Sequence, residues 1–168
     1  LAIAKKELKE ENKVYNENIE VGIMVEIPST VILADVFSDI VDFFSIGTND
    51  LTQYVLAADR LSEEVSHVYD GYHPAVFRMI AELARVALLK GKKLSICGEL
   101  GGDPMAVLAF LSFGIREFSM LPAFIPKVKK MIRSVSLNDL AKLKEKILTV
   151  QTSKELKGIL NDYLLGVI

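Results

Sequence analysis

Two carboxylate residues, Glu26 and Asp50, stand where short apolar runs of the sequence give way to polar residues. Glu26 lies near the end of VGIMVEI (21–27), and Asp50 closely follows FFSIG (43–47). Mg²⁺ takes hard oxygen ligands, commonly one or two carboxylates, and leaves its other positions to water and substrate phosphate. If the two runs are neighbouring strands, the residue types predict an Mg²⁺ site between Glu26 and Asp50.

Three further residues carry groups that suit a phosphorylated substrate. Asn49 and Arg60 supply hydrogen-bond donors for a phosphate, the guanidinium in its fork geometry. Cys97, in LSICGE (94–99), is the one cysteine. An ordinary thiol is mostly protonated at neutral pH, which suits a proton donor. The set therefore points to metal-dependent binding of a phosphate, followed by proton transfer.

Each of these residues also has a plainer structural interpretation. Glu26 can cap the helix that follows it, and Asn49 and Asp50 are ordinary turn and capping residues. Arg60 can be a solvated surface side chain. Cys97 can be a small buried apolar residue.

The elements that position these residues alternate between strand and helix patterns. Four apolar runs predict strands, and each precedes a helical pattern: VGIMVEI (21–27), FFSIG (43–47), LSICGE (94–99) and EFSML (117–121). This order predicts an α/β fold with parallel strands and right-handed crossovers. The carboxyl ends of parallel strands form the ligand face in such folds, so the candidate residues are expected to converge there.

The last part of the chain has no strand pattern. SLNDLAKLKEKILTV (136–150) and TSKELKGILNDYLLGVI (152–168) predict two helices, the second opened by a capping box from Thr152 to Glu155. We therefore divide residues 1–168 into βα units over 20–134 and a helical tail over 135–168. About four βα units are too few for a closed (β/α)8 barrel, which takes about 250 residues. The sheet is either small and open or half of a barrel.

Composition narrows the class of protein. The 168 residues are 51% hydrophobic with a net charge of −2, so a sizeable core is expected and nucleic acid is not an expected partner. A single cysteine excludes an internal disulfide and suits a reducing cytoplasm. No apolar run is long enough for a membrane span, so we expect a soluble, cytoplasmic protein. Leu1 stands in what reads as the middle of a helix, which suggests a fragment.

Five motifs identify a family. They are GIMVEIP, SIGTNDLTQY with the downstream DR, HPAV, CGELGGDP and EFSM. In this order and spacing they resemble the C-terminal phosphoenolpyruvate-binding domain of enzyme I of the bacterial phosphoenolpyruvate:sugar phosphotransferase system, a phosphoenolpyruvate-protein phosphotransferase. The resemblance spans about residues 20–134, and the helical tail is similar to that family's C-terminal end.

The resemblance implies a (β/α)8 TIM barrel of which this chain holds the last four strands. In that family phosphoenolpyruvate (PEP) phosphorylates a histidine on a separate N-terminal domain, which passes the phosphoryl group to the carrier protein HPr and leaves pyruvate. The family's C-terminal domain forms a homodimer. Carried onto this sequence, the Mg²⁺ ligands are Glu26 and Asp50, the substrate-binding residues are Asn49, Asp50 and Arg60, and the proton donor is Cys97.

The sequence also departs from the family. Neither His67 nor His73 lies in a motif like that of the phosphorylated histidine. The HPr-binding region and the phosphate-binding arginines of the first half of the barrel have no counterpart here. The 168 residues are therefore expected to carry half of a site and to be inactive alone.

Two alternatives follow from the same motifs. PEP synthases and pyruvate phosphate dikinases share GTND-like and CGE-like motifs, although YVLAADR and the helical tail favour enzyme I. A non-catalytic dimerisation fragment is the other alternative, because an open half-barrel exposes strand edges and an apolar face.

Overall fold

A computed structural model describes residues 1 to 167 as four parallel strands that alternate with helices. The strands are β1 (Gly22–Val25), β2 (Phe43–Gly47), β3 (Lys93–Cys97) and β4 (Glu117–Phe118). They form one sheet in the order β1-β2-β3-β4, with every neighbouring pair parallel. The predicted α/β class and parallel pairing are confirmed.

Nine α-helices lie within residues 1 to 167. They are α1 (Ala2–Glu10), α2 (Pro28–Ile32), α3 (Ala34–Phe37), α4 (Thr48–Leu56), α5 (Pro74–Leu89), α6 (Pro104–Ser112), α7 (Ile125–Ser134), α8 (Leu137–Thr149) and α9 (Ser153–Val167). No helix in this part of the chain is both long and apolar enough to cross a membrane.

Several boundaries differ from the sequence prediction, and β1 and β3 end two residues before the runs VGIMVEI and LSICGE do. The helix expected after the first strand is divided into α2 and α3, in a segment rich in β-branched residues, which are weak helix formers. The helix after β2 ends at Leu56, because Ala57 adopts a left-handed conformation (φ 50°) that turns the chain away. Arg60 therefore lies in a loop, and β4 keeps only two residues of the predicted run.

The two faces of the sheet are buried to different extents. On one face Val25, Phe44, Ile46 and Ile96 are fully buried. On the other face the alternate residues are partly or largely exposed. We call it the open face, and its residues are Met24, Ser45, Ser95 and Cys97. Side chains alternate along a strand, so the buried face is the one that the helices cover.

The helices build the core from faces that the sequence predicts. The α5 positions Val76, Ile80, Leu83 and Ala87 share one stripe, and each is at most 1% exposed. Helix α6 is buried around most of its circumference, with residues 106–111 all in the core. Its first turn is capped by Asp103, whose carboxylate accepts a hydrogen bond from the Met105 amide at 2.9 Å.

The helical tail packs onto this core. Leu156 and Leu160 of α9 are fully buried, and the Arg78 guanidinium of α5 donates to the carbonyl oxygen of Val150 at 2.9 Å. The predicted cap is present, because Thr152 Oγ1 accepts a hydrogen bond from the Glu155 amide at 3.2 Å. The tail is thereby part of the same packed structure as the sheet.

Candidate active site at the carboxyl ends of the strands

The predicted site residues converge at one edge of the sheet. Gly47, at the end of β2, pairs in register with Cys97 at the end of β3. On the other side, Val25 pairs with Ile46, so Glu26 comes next to Gly47. Asn49 and Asp50 follow in the first turn of α4. The carboxyl ends of β1, β2 and β3 thus bring both carboxylates, the amide and the thiol to the same edge.

Glu26 lies against a glycine that leaves room for its carboxylate. A Cβ atom built on Gly47 would lie 2.8 Å from Glu26 Oε2. Any other residue at this position would displace the carboxylate. Glu26 does not cap the helix that follows, because the cap position of α2 is Ile27 and no side chain bonds there. The capping interpretation of Glu26 is wrong.

The two carboxylates have no protein partner among the described residues. Within residues 1 to 167, no ion pair and no side-chain hydrogen bond involves Glu26 or Asp50. Both residues are half-buried. Residues 1 to 167 hold no group of three or more His, Cys, Asp or Glu side chains placed to bind a metal ion. Two carboxylates can supply only part of a cation's coordination, and water and substrate would have to supply the rest.

Thr48 and Asn49 join the ends of β2 and β3. Thr48 Oγ1 donates to the carbonyl oxygen of Cys97 at 3.1 Å, and Asn49 Oδ1 accepts from the Glu99 amide at 3.3 Å. Gly98 has φ 98°, and a Cβ atom there would overlap Thr48 Oγ1. Because the Asn49 oxygen is used by the protein, its NH₂ group is left to donate to a ligand.

The Cys97 thiol is on the open face and is not a core side chain. Its Sγ accepts a hydrogen bond from Ser45 Oγ at 3.7 Å and lies 3.5 Å from Met24 Sδ. The residue is partly exposed. The interpretation of Cys97 as a small buried apolar residue is therefore not supported by its position.

Arg60 reaches the site from the loop after α4. Its Nη1 lies 3.8 Å from Glu99 Oε1, and the Glu99 side chain is 83% exposed. The same Glu99 donates its amide to Asn49. Arg60 and Asn49 are thus connected through one residue, and the guanidinium is held by a loose ion pair that an anion can replace.

Tyr69 belongs to the site and was not predicted from the sequence. Its hydroxyl donates to the carbonyl oxygen of Asn49 at 3.3 Å. Burial raises the pKa of Tyr69, with the charge of Arg60 acting against this rise and those of Glu99 and Asp50 adding to it. A tyrosine in a polar loop gives no signal of this contact, because the hydrogen bond spans 20 positions.

A cavity of about 400 Å³ adjoins this edge. Asn49 and Glu99 line one part, and Met120, Leu121 and Phe124 supply an apolar wall. Of the predicted site residues Asn49 lines this cavity, whereas Glu26, Asp50, Arg60 and Cys97 do not, so the cavity is an apolar cleft beside the polar edge.

Of the two histidines, one caps a helix and the other lies in an exposed turn. His73 Nδ1 accepts a hydrogen bond from the Ala75 amide at 3.2 Å and so caps α5. His67 is exposed in a short 3₁₀ turn.

Known proteins match nearly the whole chain. The family described as "PEP-utilising enzyme, PEP-binding domain" matches residues 1–137. A phosphoenolpyruvate-protein phosphotransferase of Staphylococcus carnosus is 44% identical over 156 residues, which cover 93% of this chain and 27% of that protein. Proteins of the same name from Haemophilus influenzae and Buchnera aphidicola are 44% and 43% identical over 161 and 159 residues. These alignments cover 96% and 95% of this chain, and 28% of each relative.

The resemblance predicted from the five motifs is confirmed by these relatives. The chain spans 27–28% of their length.

Proposed function

The chain belongs to the PEP-binding domain family of PEP-utilising enzymes, and we propose that it is the C-terminal, PEP-binding part of a phosphoenolpyruvate-protein phosphotransferase. In this proposal residues 20–134 supply the last four βα units of an eightfold barrel, and residues 135–168 supply its helical tail. The open parallel sheet supports this, because four further strands would extend both of its edges and enclose the open face.

One observation carries the proposal. Glu26 and Asp50 present two half-buried carboxylates at one strand edge, without a cation or hydrogen-bond donor from residues 1 to 167, beside an asparagine whose NH₂ group is available. Carboxylates that are partly open to solvent and have no protein donor keep their oxygen lone pairs free for a ligand. A divalent cation together with an anionic substrate can use them.

Glu26 and Asp50 would hold Mg²⁺, and the donor set fits this ion. Both ligands are hard oxygen atoms, and Mg²⁺ commonly binds through one or two carboxylates plus substrate phosphate. When bound, the ion would neutralise charge that develops on the phosphoryl oxygens during transfer. Gly47 gives the Glu26 carboxylate its room, so this side chain can approach a ligand above the end of β2.

Asn49 and Arg60 would bind the phosphate of PEP. The Asn49 NH₂ group donates one hydrogen bond, and the amino end of α4 adds backbone N–H groups that favour an anion. Arg60 would release its ion pair with Glu99 and form a charge-assisted hydrogen bond to the phosphate. Together these groups orient the phosphoryl group toward its acceptor.

Cys97 would complete the reaction by proton transfer. The bond between phosphorus and the enol oxygen breaks as a bond from phosphorus to a histidine nitrogen forms, and the electron pair stays on the enolate of pyruvate. That enolate takes a proton on its methylene carbon from the Cys97 thiol, and solvent restores the thiol proton. General acid catalysis of this kind contributes about 10²- to 10⁴-fold.

The phosphoryl acceptor and the other partners would lie outside these 168 residues. The proposed acceptor is a histidine of an N-terminal domain, which passes the group to HPr, and the proposed assembly is a homodimer. The names of the relatives support a protein acceptor. Cys97 as a free thiol fits a reducing cytoplasm.

Transfer from labelled PEP tests the proposal. The longer protein that contains this chain, incubated with ³²P-labelled PEP and Mg²⁺ but without nucleotide, is expected to become phosphorylated on histidine and to pass the label to HPr. Labelling that requires AMP or ATP would favour a PEP synthase or dikinase instead. For the 168-residue chain, chromatography with a PEP titration separates ligand binding from association alone.

A further inference from the structure

Helix α9 of the tail contacts the loop that precedes α5. Lys157 Nζ lies 3.3 Å from Asp70 Oδ1 and 5.0 Å from the centre of the Tyr72 ring. We call residues 69–73 the site loop. The ion pair and the cation–π contact both hold this loop against α9.

The site loop in turn holds the backbone of the candidate site. Tyr69 donates its hydroxyl hydrogen to the carbonyl oxygen of Asn49 at 3.3 Å. This carbonyl belongs to the peptide group that joins Asn49 to Asp50. The peptide lies in the first turn of α4, and this hydrogen bond ties that turn, which carries the proposed phosphate-binding residue and the proposed Mg²⁺ ligand, to the site loop.

The site loop is bonded internally and to the core. Asp70 Oδ1 also accepts from the Tyr72 amide at 2.9 Å. The Tyr72 hydroxyl donates to Asp103 Oδ2 at 2.5 Å, and its ring is 7% exposed and stacks on Phe77. Asp70 is the residue next to Tyr69, so the ion pair with Lys157 acts directly beside the residue that contacts Asn49.

We infer that α9 is a positioning element of the site: Lys157 holds the site loop through Asp70, and Tyr69 of that loop holds the Asn49–Asp50 peptide in its binding orientation. The inference rests on the proposed function, because only that function makes Asn49 and Asp50 binding residues. The contacts themselves do not depend on it. In this inference Lys157 and Tyr69 act as positioning residues, through Asp70 and through the Asn49 carbonyl oxygen.

The expected effect is modest. The Lys157 side chain is 46% exposed and that of Asp70 is 32% exposed, so solvent screens the pair. Loss of such a pair changes an equilibrium by about two- to five-fold. Mg²⁺ affinity should therefore weaken by at most this factor when Lys157 loses its charge.

Three tail variants of the 168-residue chain test the coupling. Lys157→Met removes the cation, Lys157→Arg restores it, and Lys154→Met makes the same charge change at an exposed position of α9. The direct readout is the carbonyl ¹³C chemical shift of Asn49, which reports the hydrogen bond that this oxygen accepts. The second readout is a titration with Mg²⁺ alone, followed by the amide resonances of Glu26 and Asp50. Tyr69→Phe provides a fourth variant that removes only the hydroxyl group.

We expect Lys157→Met and Tyr69→Phe to shift the Asn49 carbonyl resonance in the same direction and to weaken Mg²⁺ binding. The Asn49 resonance and the Mg²⁺ affinity of Lys157→Arg and Lys154→Met should stay close to those of the unmodified chain. An unchanged Asn49 resonance in Lys157→Met, with Tyr69→Phe shifting it, would overturn the coupling. An unchanged Asn49 resonance in Tyr69→Phe would overturn the contact between the Tyr69 hydroxyl and the Asn49 carbonyl oxygen. If the Lys157 effect appears but Mg²⁺ moves neither carboxylate residue in the unmodified chain, the coupling stands and the proposed metal site fails.

Discussion

Gly47 shows how a single missing atom can position a binding residue. A Cβ atom on Gly47 would lie 2.8 Å from Glu26 Oε2, while its backbone, with φ −82° and ψ 88°, is open to other residues. We therefore predict that Gly47→Ala displaces the Glu26 carboxylate without straining the backbone. The carboxylate is the flexible end of its side chain, so it can shift at little cost to folding, but moving a proposed ligand out of place should weaken Mg²⁺ binding by about 10-fold. Isothermal titration of Mg²⁺ measures the effect.

Gly158→Ala is the matched control for Gly47→Ala. It adds the same methyl group within α9, where nothing lies within 4 Å of the new Cβ. It should leave Mg²⁺ binding unchanged and stabilise the helix by about 0.5–1 kcal/mol. Equal Mg²⁺ affinity in the Gly47 variant and the control would show that the Glu26 carboxylate is not a ligand.

Cys97 is expected to act after substrate has bound. In the longer protein Cys97→Ser and Cys97→Ala should leave the affinity for PEP largely intact and lower kcat by about 10²-fold or more, because only proton transfer to the enolate is lost. Stopped-flow measurement of pyruvate release separates this step from binding. A normal kcat in the Cys97→Ala variant would show that Cys97 does not donate the proton and is only a structural residue.

Among helices and loops, the contact between α9 and the site loop gives a pH-dependent contribution to stability. Burial acts to raise the pKa of Asp70, but hydrogen bonds from Ser153, the Tyr72 amide and Lys157 outweigh it and lower the pKa below its ordinary value of 3.8. A carboxyl with a lowered folded-state pKa stabilises the protein above its unfolded pKa. This contribution is lost as pH falls through the folded-state value.

Asp70→Asn tests this contribution, since asparagine can still accept from the Tyr72 amide. The difference in unfolding free energy between the unmodified chain and Asp70→Asn should be constant from about pH 7 to about pH 5 and should shrink below about pH 4. Urea denaturation at a series of pH values measures it. A difference that stays constant down to about pH 3 would show that Lys157 and Ser153 do not stabilise the charged form.

Local signals in the sequence predict much of this fold. The run FFSIG (43–47) coincides with β2, and Asp103 caps α6 where the Asp-Pro pair indicates. These features depend on periodicity and on capping chemistry within a few residues. The same signals bring Glu26, Asn49 and Cys97 to one edge of the sheet.

The features that the sequence does not predict depend on the path of a loop. Ala57 adopts a left-handed conformation that is uncommon for alanine, and so the chain leaves α4 before Arg60. The contact of Tyr69 with Asn49 and that of Lys157 with Asp70 join residues 20 and 87 positions apart. No local pattern encodes such pairs, because they form only when the loop is packed between two helices.

For the chain as a whole, the open face and the free edges of β1 and β4 predict self-association. Within residues 1 to 167 each of these strands pairs on one side only. Unpaired strand edges beside apolar side chains favour pairing with another chain. Light scattering of the 168-residue chain at micromolar concentration should give a mass above 18.6 kDa. A monodisperse monomer across that concentration range would contradict the prediction.

The most direct measurement of the proposed function is phosphoryl transfer from ³²P-labelled PEP across an Mg²⁺ titration, made with the longer protein and its Asp50→Ala variant. The unmodified protein should show transfer that rises and saturates with Mg²⁺. In Asp50→Ala the transfer should fall by about 10²-fold or more, because one of the two carboxylates that would hold Mg²⁺ is lost, and with it the cation that would neutralise the developing phosphoryl charge. Saturable transfer of equal rate and equal Mg²⁺ dependence in the two proteins would contradict the assignment of this edge as the PEP site.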